Sequence, residues 1–95
     1  MRAREWYEKA AAQGDREAQR NLAMLYFLGE GGKKNYVAAT ELFRKAAEQG
    51  DAEAQYYLGE MYDLGAGVKQ DHKMAQKWFQ TACENGEKEA CTRKK

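Results

Sequence analysis

The feature that most constrains this chain is a fourteen-residue stretch that returns at a fixed interval. It reads WYEKAAAQGDREAQ at 6–19, LFRKAAEQGDAEAQ at 42–55 and WFQTACENGEKEAC at 78–91. Successive copies begin 36 residues apart with no insertion. A constant period of this length is the mark of a stacked repeat array, in which each unit buries its apolar side against the next. Each copy describes the end of one helix, a glycine, and the start of another. Gly14 and Gly50 supply the positive φ that stops a helix, and Asp15 and Asp51 cap the one that follows. A reversal of two residues makes the adjoining helices antiparallel neighbours.

Apolar spacing extends these ends into full helices. Over 2–13 the residues Ala3, Trp6, Tyr7 and Ala10 share one face, at the i, i+3, i+4, i+7 spacing of an amphipathic helix. Helix 16–28 is expected to turn Ala18, Leu22, Leu25 and Tyr26 inward. Ala23, with Gly59 one period later, is small enough for two backbones to approach. The glycine-rich loop Gly29-Glu30-Gly31-Gly32-Lys33-Lys34 ends at Asn35, a second kind of cap. Helix 36–49 places Ala39, Leu42, Phe43 and Ala46 inside, and helix 52–64 does the same with Ala54, Leu58, Met61 and Tyr62. After Gly65-Ala66-Gly67-Val68, Asp71 caps helix 72–85, which directs Ala75, Trp78, Phe79 and Ala82 inward. Gly86 makes the third reversal, and a short final helix begins near Glu87, a weaker cap than aspartate and therefore a helix end prone to fray.

Proline, serine and isoleucine are absent, and the good helix formers Ala, Glu, Lys, Gln, Leu and Arg dominate. The fold class is therefore all-α: antiparallel helix pairs in 36-residue repeats. Residues 1–95 form one domain: 1–14 the second helix of a truncated repeat, 15–50 and 51–86 two full repeats, 87–95 a partial helix. The final Arg93-Lys94-Lys95 suits a helix C-terminus. At the other end Trp6 and Tyr7 have a partner helix on one side only. Either the chain is excised from a longer array, the reading favoured here, or this uncapped helix pairs with another copy or another protein.

Charge excludes some partners. Sixteen basic and fifteen acidic side chains leave a net charge of +1, which draws the chain to neither nucleic acid nor lipid. No apolar run approaches the length needed to span a membrane.

The residues Ala54, Leu58-Gly59, Tyr62, Gly65, Gly67-Val68, Asp71, Ala75 and Trp78, closing with Ala82 and Gly86, resemble the Sel-1-like repeat, a relative of the tetratricopeptide repeat. The resemblance spans nearly the whole chain. Gly32 stands where Val68 would be expected, and Leu42 where Trp6 and Trp78 sit. It implies a right-handed α-α superhelix whose first helices line a concave surface, and a non-enzymatic adaptor, bacterial in origin, that binds a protein or peptide there. Laying the tetratricopeptide concave positions on this chain gives Glu17, Arg20, Met24, Phe27 and Leu28 in one unit and Glu53, Tyr56, Glu60, Asp63 and Leu64 in the next. These vary between units where the framework recurs. Met24, Phe27 and Tyr56 would form an apolar centre with Arg20, Glu60 and Asp63 at its edge. The plainer alternative packs Phe27 and Leu28 beneath the glycine loop.

Cys83 and Cys91 replace Ala11 and Ala47 at one repeat position and Gln19 and Gln55 at the other. In the cysteine-rich, secreted branch of the family the same eight-residue offset carries a disulfide, which implies a Cys83–Cys91 bond and a periplasmic or secreted protein. With reduced thiols the chain would instead suit the cytoplasm. Two thiols and one histidine do not make a tetrahedral metal site, and no cofactor is implied. The loop 29–34 lacks the Gly-Lys-Ser/Thr ending and the preceding strand of a phosphate-binding loop. No serine is present, and His72 and Cys83 lie about 16 Å apart along one helix, beyond hydrogen-bond reach. The weak penicillin-directed hydrolysis attributed to cysteine-rich relatives thus finds no catalytic residue here, and it stands as the alternative function, beside a self-assembling structural unit.

Overall fold

The computed structural model describes residues 3–29 and 35–93. These residues form six helices: α1 (Ala3–Ala12), α2 (Arg16–Leu28), α3 (Tyr36–Glu48), α4 (Ala52–Leu64), α5 (His72–Glu84) and α6 (Lys88–Arg93). There are no strands among the described residues. Each helix packs on its sequence neighbours, α2 on α3 and α4 on α5 most extensively. The result is a right-handed solenoid of antiparallel pairs measuring 42 × 23 × 17 Å.

Local chemistry sets the boundaries. Asp15, Asn35, Asp51 and Asp71 each adopt extended backbone and accept a hydrogen bond from the amide three residues on, at 3.0–3.1 Å. Each bond satisfies one of the donors that a helix start leaves open. The three reversals are copies of one another. Asp15 N donates to Ala10 O, Asp51 N to Ala46 O and Glu87 N to Ala82 O, at 2.9–3.2 Å. Gly14, Gly50 and Gly86 donate in the same way to Ala11, Ala47 and Cys83, at 2.9–3.1 Å. This paired bonding requires a left-handed residue at the turn, and Gly50 provides it at φ 91°. Glu30, Gly31, Gly32, Lys33 and Lys34 of the predicted loop lie outside the described residues, as do Lys94 and Lys95.

The core follows the repeat. Ala39, Phe43 and Ala46 of α3 and Ala54, Leu58 and Met61 of α4 are fully buried, with Ala75, Phe79 and Ala82 beyond them. Ala23 is buried too, and at Gly59 a Cβ would stand 2.7 Å from the Phe79 ring. The small position therefore marks a close approach between α4 and α5. Leu25, Tyr26, Leu42, Tyr62 and Trp78 are half-buried rather than inside. The inward face expected of α1 forms only in part. Tyr7 and Ala10 are half-buried, but Trp6 is 63% exposed, because among the described residues α1 packs chiefly on α2. Gln19 and Gln55 are buried, a polar layer that apolar spacing does not reveal.

Candidate partner-binding face

The first helix of each pair carries the predicted contact residues, and ion pairs stitch these helices together. Arg20 of α2 reaches across to α4, its Nε 3.4 Å from Asp51 Oδ2 and its Nη1 2.5 Å from Glu53 Oε2. Glu17, one turn back on α2, lies 4.0 Å from the same guanidinium. Arg93 of α6 pairs with Glu60 and, at 3.2 Å, with Asp63 Oδ2, both on α4. Asp63 Oδ1 in turn lies 2.7 Å from His72 Nδ1. Arg20, read in the sequence as an edge charge around an apolar centre, thus ties α2 to the start of α4, and Glu60 and Asp63, read in the same way, tie α4 to α6. The signal for this is the 33-residue separation shared by Arg20–Glu53 and Glu60–Arg93, slightly less than one repeat. It follows from how consecutive rungs are offset and not from helical periodicity.

The apolar side chains divide into two groups. Phe27 packs against Tyr36 at 5.7 Å between ring centroids, and with Met24 it lies against the core. Tyr56 meets Tyr57 at 5.3 Å and Phe79 at 5.7 Å. Arg93 lies over the Phe79 ring, 4.8 Å from its centroid, a cation–π contact that helps hold α6. Burial pushes the phenols of Tyr56 and Tyr57 above their ordinary pKa, because the ionised form would lose water; for Tyr56 the charge of Arg93 opposes the shift. Leu28 and Leu64, at the ends of α2 and α4, are exposed.

Behind this face runs a ladder of amides. Gln19 Nε2 donates to Ala11 O at 3.4 Å and Gln55 Nε2 to Ala47 O at 3.1 Å. Gln49 donates to Gln19 Oε1 at 2.7 Å, and Asn85 to Gln55 Oε1 at 2.9 Å, linking each rung to the next. In the third copy Cys83 and Cys91 occupy the carbonyl and amide positions, and they form a disulfide with the Cα atoms 4.8 Å apart. A covalent bond therefore stands where earlier repeats use a hydrogen bond. Both sulfurs are committed to it, and the one histidine is engaged by Asp63, so no cysteine–histidine nucleophile is assembled. Among the described residues no group of histidine, cysteine and carboxylate side chains is placed to hold a metal, and no helix is long and apolar enough to cross a membrane.

This architecture defines a helical-repeat scaffold. The chain belongs to the Sel1 repeat family, whose model matches residues 1–15, 16–51 and 52–87. Members of that family are in general non-catalytic scaffolds for protein interaction. The fold is similar to a protective antigen of uropathogenic Escherichia coli displaying an SLR fold (TM-score 0.92, 39% identity, 95% of this chain and 19% of that one). It is also similar to a Sel1 repeat protein of Oxalobacter formigenes (TM-score 0.87, 41% identity, 92% and 36%). Helicobacter pylori cysteine rich protein B superimposes with a TM-score of 0.88 at 29% identity, over 94% of this chain and 67% of that one. The chain thus spans about a fifth and about a third of the length of the first two. No curated protein matches.

Proposed function

We propose that the protein is a non-enzymatic adaptor that holds a protein or peptide on the face formed by α2 and α4. Contact falls on Glu17, Arg20, Met24, Phe27, Tyr56, Glu60 and Asp63. The observation that carries this reading is the contrast between recurring and varying positions. Caps, reversals and buried amides repeat at 36 residues, whereas Arg20 gives way to Tyr56, Met24 to Glu60 and Phe27 to Asp63. A surface that differs from rung to rung while its frame stays constant is suited to reading one partner. The ion pairs of Arg20 and Arg93 hold that surface in shape before binding, which lowers the ordering cost of association. The disulfide suits an oxidising compartment, the periplasm or the cell exterior.

The test is capture of partners from the source cell by immobilised protein, identified by mass spectrometry, with wild type beside a Phe27→Ala/Tyr56→Ala variant. The variant is expected to lose the captured partner while its helical circular dichroism is retained. Undiminished capture by the folded variant refutes the assignment of this face.

A further inference from the structure

Leu42 occupies the position that Trp6 and Trp78 take in the other copies, and Ala38 the position of Met74. The smaller pair leaves a cleft of about 380 Å³ between α1 and α3, with the edges of buried Gln19 and Leu22 of α2 at its base. One repeat on, the depression is about 260 Å³ and among the described residues is lined by α5, through Met74, Lys77, Trp78 and Thr81. There Trp78 packs on the cluster that contains Ala47 and Leu58, and the floor is closed, with Leu58 at 0% exposure. In the first rung Leu22 is 5% exposed and Ala11 is half-buried. The chain itself therefore shows what this repeat position can hold, an indole packed against the core cluster. The rim differs in sign as well. Where the filled rung has Arg44 and Lys77, the open one has Glu8 and Glu41, with Lys45 beside them. The ion pairs among the described residues involve neither of these glutamates.

We infer that the α1–α3 groove is a docking site for a segment of a partner protein that carries a tryptophan next to a basic residue. The indole covers Leu22 and fills the space that Leu42 and Ala38 leave, and the neighbouring cation meets Glu8 and Glu41. None of these residues belongs to the α2–α4 face, so the two surfaces can be tested separately.

The probes are Ac-Gly-Trp-Arg-NH2, Ac-Gly-Trp-Glu-NH2 and N-acetyltryptophanamide, titrated into isotopically labelled protein and followed by amide chemical shifts. The arginine peptide is expected to shift Gln19, Leu22 and Leu42 and to bind about fivefold more tightly than the glutamate peptide, the size of two exposed charge contacts. Leu42→Trp, with helical circular dichroism retained, is expected to abolish those shifts by filling the groove from within. Glu8→Lys/Glu41→Lys, changes confined to the rim, is expected to reverse the preference between the two peptides. Shifts that are absent, fall elsewhere or survive in Leu42→Trp overturn the site. Equal binding of all three probes, or a preference unchanged by the rim variant, overturns the basic partner segment.

Discussion

Reduction of the Cys83–Cys91 bond is predicted to release α6 while leaving the rest of the solenoid folded. Helix α6 has six residues and one fully buried side chain, Ala90; it is also held by the contacts of the Arg93 side chain to α4 and Phe79 and by the hydrogen bond that Gln76 of α5 donates to Arg93 O. An isolated helix of that length does not hold itself together in water. By the chain-entropy model, a cross-link closing a loop of eight residues contributes about 2.5 kcal/mol. Set against local opening, that is a factor of about 70 in the open population. Hydrogen exchange at the amides of 90–93, with and without a phosphine reductant, should show protection falling by about that factor while α2 to α4 are unchanged. A Cys83→Ala/Cys91→Gln variant rebuilds the arrangement seen at Ala47 and Gln55, an amide donating to the carbonyl eight residues earlier. A net hydrogen bond of about 1 kcal/mol would restore roughly fivefold protection over Cys83→Ala/Cys91→Ala. Complete reduction with no change in exchange at 90–93 would refute the idea that the cross-link holds this helix. Equal loss of protection from α2 through α6 would show that the rungs open only together.

Three further outcomes follow from the same geometry. At Gly67, φ is 73° and a Cβ would stand 2.3 Å from Tyr36 O, whereas at Gly14 φ is 91° with nothing near. Gly14→Ala is therefore expected to cost about 1 kcal/mol of backbone strain, and Gly67→Ala about 2 kcal/mol more for the clash, compared by urea denaturation. Asp51→Ala removes both a helix cap and a carboxylate facing Arg20, and Asp71→Ala removes a cap alone, so losses of about 2 and about 1 kcal/mol are expected from thermal melts. The phenols of Tyr56 and Tyr57 have pKa values raised by burial, so the folded state favours their neutral forms. That stabilisation is fully present below the unfolded-state pKa near 10 and is lost as pH rises through the folded-state values, so stability should fall above about pH 10. Tyr56→Phe and Tyr57→Phe should each flatten that decline in chemical denaturation repeated across alkaline pH.

The parts of this fold that were legible in the sequence are those governed by local chemistry. Asp15, Asn35, Asp51 and Asp71 announce helix starts because a short acceptor side chain serves the same amide wherever it occurs, and Gly14, Gly50 and Gly86 announce stops because few residues tolerate that φ. What stayed hidden depends on how rungs meet. Gln19 and Gln55 look like surface residues until the next helix end brings Gln49 and Asn85 onto them. Their identity at one repeat position, beside the amides at 49 and 85, was the available signal. Arg20 and Asp63 looked free for the same reason, since their partners lie 33 and 30 residues further along the chain. Trp6 and Trp78 share a repeat position and differ in burial because exposure depends on what stacks outside, which no single repeat encodes.

Residues 36 apart do the same work in successive rungs. A double-mutant cycle on the buried amides tests this most directly, pairing Gln19→Ala with Gln49→Ala and Gln55→Ala with Asn85→Ala and measuring unfolding free energies in urea. Two coupling energies of about 1 kcal/mol, equal within about 0.5, are the predicted result. Additive effects in either pair would contradict the equivalence of the rungs and the account built on it.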